Sequence, residues 1–136
     1  MNKEFKLALA GTVAFCALIV LRFCDPASSG IYPPCPVHFL TGWYCPGCGS
    51  LRALHQLLHG NLRGALALNP MAVMFLPFLV YGMASWVRFE LCGRYLPHVV
   101  LPAGFIRGLG AAIILFGILR NVPVYPLNLL APGAWL

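Results

Sequence analysis

Three of the six cysteines fall within fourteen positions, as Cys35-Pro36-Val37-His38 and, after six further residues, Cys45-Pro46-Gly47-Cys48-Gly49. A Cys-x-x-Cys pair presents two sulfurs from one tight turn. Proline stiffens that turn, and the closing glycine can take a positive φ, so that backbone amides point at the sulfurs. Tetrahedral zinc takes four Cys or His ligands. Cys35, His38, Cys45 and Cys48 supply four, with His55 and His59, spaced i, i+4, as alternates to His38. The same residues permit thiol–disulfide chemistry, with Cys45 and Cys48 as the reactive pair and Cys35 as the resolving partner. Gly47 and Gly49 place any helix start after the pair, which denies Cys45 the helix N-terminus that activates many redox thiols. The plainest alternative is a structural disulfide, or inert thiols, in a compact cap.

Other chemistries lack their residues. The acidic side chains are Glu4, Asp25 and Glu90 alone, too few for paired-carboxylate catalysis or for carboxylate-rich Ca²⁺ or Mg²⁺ sites. There is no glycine-rich phosphate loop, and no acid within an apolar run to relay protons. Catalytic equipment beyond sulfur and imidazole is therefore scarce, which favours a non-enzymatic role.

The elements that must position these groups follow from composition. Of 136 residues, 60% are hydrophobic and 9% charged, against about 45–50% and about 25% in soluble domains. Twelve charged side chains cannot cover a soluble globule of this length. The expected fold is an all-α integral membrane protein forming a single membrane domain over 1–136. It has three transmembrane helices at about 5–23, 70–89 and 100–119, and a Cys-rich cap at 24–65. The formal charge of +6 comes from scattered basic residues rather than a cluster, so it reads as span-flanking charge and not as a nucleic-acid site.

The first run, Leu7 to Leu21, is followed by Arg22-Phe23-Cys24-Asp25-Pro26 rather than by the small residues of a cleavage site, so a retained span is expected. Cys16 within it reads as a small hydrophobe. In the cap, Leu51, Leu54, Leu57 and Leu58 recur at helical spacing. They predict a short amphipathic helix at the membrane interface, with Ser50 as N-cap and Gly60 just past its end. Arg52 on that helix reads as a head-group or solvent contact, or as a donor to the cysteine turn. A second helical piece, Leu62 to Leu68, leads to Asn69-Pro70, an N-cap followed by a first-turn proline. Pro77 should kink the second span and leave a groove beside it. Arg107 lies near the start of the third span, Arg120 and Asn121 end it, and a proline-rich irregular tail follows. With the N-terminus inside, Lys3, Lys6, Arg88, Arg94 and Arg107 are cytoplasmic, one basic residue more than Arg22, Arg52, Arg63 and Arg120 on the other side. This margin weakly favours a cytoplasmic N-terminus and an outward-facing cap, in a compartment that permits disulfides.

The run from Cys35 to Pro70 resembles the signature of a family of small bacterial membrane proteins, domain of unknown function 2752. The matching residues are Cys35-Pro36, Thr41-Gly42, Cys45, Pro46, Cys48 and Gly49, then Arg52-Ala53, Leu57, Gly60 and Asn69-Pro70. Leu51 departs from the pattern, which usually has Thr there. The resemblance covers about a quarter of the chain and implies a multi-pass protein of the bacterial inner membrane, without supplying a function. The leading expectation is an accessory protein or subunit of a larger membrane assembly, or a homo-oligomer, in the lipid bilayer, with a structural, zinc-binding CPxCG knuckle. The alternatives are a membrane thiol–disulfide oxidoreductase and a protein that binds lipid or a small molecule in the groove beside Pro77.

Overall fold

Predominantly apolar runs become long helices whenever backbone hydrogen bonds must be satisfied locally, and three such helices organise this chain. In the computed structural model, residues 2–97 and 102–132 are described, and every regular element among them is helical. The order is α1 (Lys3–Phe23), α2 (Pro36–Thr41), α3 (Ser50–Leu58), α4 (Leu62–Leu68), α5 (Pro70–Cys92) and α6 (Ala103–Leu119), followed by a 3₁₀ turn at Leu127–Leu130.

Two of these helices, Glu4–Phe23 and Pro70–Cys92, are long and apolar enough to cross a membrane. At ~1.5 Å per residue, the 21 residues of α1 and the 23 of α5 span ~31 and ~34 Å, close to the ~30 Å of a hydrocarbon core. Helix α6 is apolar but shorter, with 17 residues. The three long helices carry large apolar side chains outward, among them Phe15 on α1, Phe78 and Leu79 on α5, and Ile106 and Ile114 on α6. Continuous outward apolar surface of this kind is what lipid accepts and water rejects.

The buried core lies among the short helices. Ala53 of α3 and Ala65 and Leu68 of α4 form its centre, with Leu57 and Val73 packed on it. Small residues at this point let α3 and α4 approach closely. Asn61 caps α4 by accepting from the Gly64 amide at 2.9 Å, and Asn69 caps α5 by accepting from the Ala72 amide at 3.0 Å.

Several boundaries differ from the sequence reading, each for a local reason. The cap holds an extra short helix, α2, because Pro36 takes its first position and Gly42, at φ 74°, ends it. The N-cap of α3 is Gly49 rather than Ser50, since Gly49 takes φ 83° and the helical turn begins at Ser50. Gly60, at φ 76°, follows the end of α3 as expected. Helix α5 continues past Phe89 to Cys92, where Gly93 closes it at φ 69°. The tail is not wholly irregular, because Leu127–Leu130 forms the 3₁₀ turn. The expected start of the third span at about residue 100 lies outside the described residues.

Candidate metal centre

The thiols are brought together by two glycine-ended turns. Cys35 immediately precedes α2, and the left-handed Gly42 at the other end of that helix turns the chain back through Trp43 and Tyr44. From Cys45 the backbone folds tightly. The Cys48 amide donates to the Cys45 carbonyl at 3.0 Å, the Ser50 amide to Gly47 at 3.1 Å, and the Ala53 amide to Gly49 at 2.8 Å as α3 begins. Gly49 has no alternative here: besides its positive φ, a Cβ would lie 2.8 Å from the Leu68 carbonyl oxygen.

The outcome is a three-sulfur cluster. Cys45 Sγ lies 3.3 Å from Cys35 Sγ and 3.2 Å from Cys48 Sγ, and all three sulfurs fall within 4.8 Å of one another. Thiolates on a common tetrahedral zinc, each ~2.3 Å from the ion, stand about 3.8 Å apart, so a small outward adjustment would admit the ion. Cys48 is buried, while Cys35 and Cys45 are half-buried, which leaves one side open.

The environment splits the thiols. The His38 backbone amide, followed by the Cys45 thiol, lowers the Cys35 pKa from 9.0 to about 7. Burial, followed by the neighbouring Cys45 and Cys35 thiols, pushes Cys48 up to about 12. A bound cation reverses the second effect, because coordination deprotonates a thiol outright.

Three side chains at the ends of α5 and α6 brace this turn through its backbone. Asn69 is 1% exposed. While its Oδ1 caps α5, its Nδ2 donates to the Pro46 carbonyl at 2.9 Å, the Cys48 carbonyl at 3.2 Å and Ser50 Oγ at 3.0 Å. Arg120, also 1% exposed, follows the last turn of α6. Its Nη1 donates to the Cys45 and Pro46 carbonyls at 3.2 and 3.4 Å, its Nη2 to Leu68 at 3.0 Å and its Nε to Leu130 at 3.1 Å. The guanidinium carbon also lies 6.0 Å from the Tyr44 ring centroid and 5.1 Å from that of Phe116. Burial lowers the Arg120 pKa, and negative charge on Cys48 and Cys45 raises it again. Asn121 pairs with both backbone groups of Tyr44, accepting from its amide at 2.7 Å and donating to its carbonyl at 2.9 Å. Gly117 of α6 makes room for Pro46, whose Cγ would lie 2.9 Å from a Cβ at that position.

The histidines occupy other places. His38 is exposed on α2 and stacks on Tyr44 with ring centroids 4.7 Å apart. His55 Nδ1 donates to the Leu21 carbonyl at 2.6 Å, His59 Nδ1 to the His55 carbonyl at 2.8 Å, and Arg22 donates to His59 Nε2. His55 and His59 therefore tie the end of α1 to α3, and the close donor group holds Cys35, Cys45 and Cys48. Arg52 is exposed, and the guanidinium that reaches the cysteine turn is that of Arg120. The roles of Arg120 and Asn121 were not evident from sequence, where the pair reads as a helix stop; the one available signal was a doubly polar step after an unbroken apolar helix. A groove beside Pro77 is present, lined by Leu57, Val73, Leu76, Pro77, Val80 and Tyr81.

No curated protein and no solved structure matches the chain. Residues 35–83 match the sequence model of the family described as protein of unknown function (DUF2752). The resemblance carried by the Cys35-to-Pro70 motifs therefore holds over this segment, which takes in the three thiols, α2, α3, α4 and α5 as far as Met83.

Proposed function

We propose that this chain is a small three-span membrane protein whose cap carries a structural three-cysteine metal site, with zinc as the ion. The observation that carries the reading is the convergence of Cys35, Cys45 and Cys48 within 4.8 Å on a turn held by buried Asn69 and Arg120. Three thiols suit a borderline-soft divalent cation and are poor ligands for Ca²⁺ or Mg²⁺. A bound ion would supply cross-linking of the cap. Cys35 would tie in the segment before α2, and Cys45 and Cys48 the turn before α3. His38, three residues after Cys35, would serve as fourth ligand by leaving its stack on Tyr44, or water would take that position.

The biological setting in this proposal is the bacterial inner membrane. The N-terminus is cytoplasmic, as the one-residue basic margin favours, and the cap faces outward. The role is that of an accessory or subunit packed against a larger membrane partner or another copy, and the outward apolar side chains of α5 and α6 support it. The test is metal analysis of the protein purified without chelator, beside Cys45→Ser. About one zinc per native chain and none in the variant is the expected result. Absence of metal in the native chain, with all thiols titratable, would overturn the site.

The sulfur spacing favours one second reading. Cys45 is within 3.3 Å of both neighbouring thiols, so it is placed to pair with either of them in a thiol–disulfide exchange. Trapping with Cys48→Ala discriminates: a mixed disulfide between Cys45 and a partner thiol supports exchange, and its absence supports the metal site.

A further inference from the structure

The four hydrogen bonds of Arg120 all end on backbone carbonyls. Carbonyls satisfy the guanidinium hydrogens but carry no net charge, so the positive charge itself stays uncompensated by them. A charge at 1% exposure without an opposite charge is strongly disfavoured. Among the described residues no carboxylate pairs with it, and Asp25 is engaged in its own loop with the Ala27 amide. Its Nη1 bonds the carbonyl of Cys45 itself, whose Sγ lies within 3.3 Å of the Cys35 and Cys48 sulfurs, and coordination to a cation makes each of these sulfurs an anion.

We propose that Arg120 is the fixed counter-charge of the thiol cluster, and that the cluster works as a singly charged anion. This rests on the reading of the site as a metal centre. Three negative sulfurs around one doubly charged cation leave one net negative charge, which the guanidinium cancels. The charge balance also selects the fourth ligand. A neutral donor, imidazole or water, keeps the buried site neutral, whereas a fourth thiolate or a carboxylate would leave an uncompensated negative charge. Arg120 is thus a positioning residue twice over: it fixes the Cys45–Pro46 backbone and sets the charge of the complex that backbone can hold.

The test uses the full chain in detergent, with Co²⁺ as spectroscopic probe and Zn²⁺ as competitor. Arg120→Lys keeps the charge but cannot make all four bonds; Arg120→Gln keeps some hydrogen bonding and removes the charge. The expected result is a Zn²⁺ affinity lowered about 10–100-fold in R120Q, the usual scale for groups behind metal ligands, and restored to within about threefold in R120K. Equal losses in the two variants would overturn the proposal, because they report hydrogen bonding alone, and so would native affinity in R120Q. If R120Q does not fold, R120K decides: affinity within about threefold of native supports the counter-charge, and a larger loss overturns it. If the native chain binds neither ion, the metal reading itself fails and the counter-charge falls with it, an outcome distinct from native affinity in R120Q, which overturns the counter-charge alone.

Discussion

Asn69 Nδ2 lies 2.9 Å from the Pro46 carbonyl oxygen, so the residue that starts the second long helix is also bonded to the turn that carries the thiols. The two halves of one side chain do different work: the oxygen caps α5 and the nitrogen holds the cluster.

Asn69→Ala removes both halves. Loss of the cap and of the donor to the buried Cys48 carbonyl, with the Pro46 carbonyl left to Arg120 alone, should lower stability by about 2–4 kcal/mol. Asn69→Ser keeps a cap oxygen but is too short to reach Pro46 and Cys48, so it should lose about half as much while still loosening the cluster. Denaturant unfolding in detergent, followed by circular dichroism, measures the first effect. Alkylation of Cys48 in the folded chain measures the second.

Gly49→Ala and Gly60→Ala form a matched pair. Both glycines have positive φ, 83° and 76°, so each alanine should cost about 1–2 kcal/mol for conformation alone. At Gly60 nothing lies within 4 Å of the new Cβ, whereas at Gly49 the Leu68 carbonyl oxygen lies at 2.8 Å. G49A should therefore be clearly the less stable of the two in thermal unfolding, and it alone should lose metal retention.

The contact between α6 and the cap can be probed at another glycine. Gly117→Ala places a methyl 2.9 Å from Pro46 Cγ, a rigid ring that cannot swing aside, while Gly110→Ala meets nothing within 4 Å. G117A should speed alkylation of Cys45 and Cys48 severalfold; G110A should match the native rate. Equal rates in the two would show that α6 does not brace the turn.

The thiol pKa values predict a pH profile for the metal-free chain. Cys35, lowered to about 7, favours folding fully above pH 9, and that contribution is lost as pH falls through about 7. Cys48, raised to about 12, favours folding below pH 9, and its contribution is lost as pH rises from there towards about 12. From these two groups alone, stability should rise between about pH 7 and 9 and fall beyond it, with Cys35→Ser abolishing the rise. Iodoacetamide should likewise modify Cys35 with a midpoint near pH 7 and leave Cys48 untouched at pH 8.

What the sequence made legible was local. The cysteine turn, the Asn69-Pro70 helix start and the Gly60 terminus each depend on residues within one turn of chain, and each is where the spacing put it. The helix-opening role of Gly49 was missed because Ser50 offered the more usual capping side chain, and the Leu68 carbonyl that bars a Cβ at Gly49 reaches it only through space. Arg120 was missed for the same reason on a larger scale. An arginine after an apolar helix has an ordinary use at a membrane surface, and nothing in its neighbours announces four carbonyl partners drawn from three separate segments. Arg52 carried the expectation instead because it stands close to the cysteines in sequence. His38 was likewise chosen by proximity to Cys35, whereas its ring has an aromatic partner in Tyr44.

The distance along the chain between Cys45 and its brace has a consequence for biogenesis. Arg120 follows Cys45 by 75 positions, and at about 5–20 residues per second translation brings it out several seconds later. During that interval the three sulfurs exist without α6 and the arginine that follows it, so the bracing of the turn waits on residue 120. A chain stalled before residue 120 would present its cysteine turn without the four carbonyl bonds of that guanidinium.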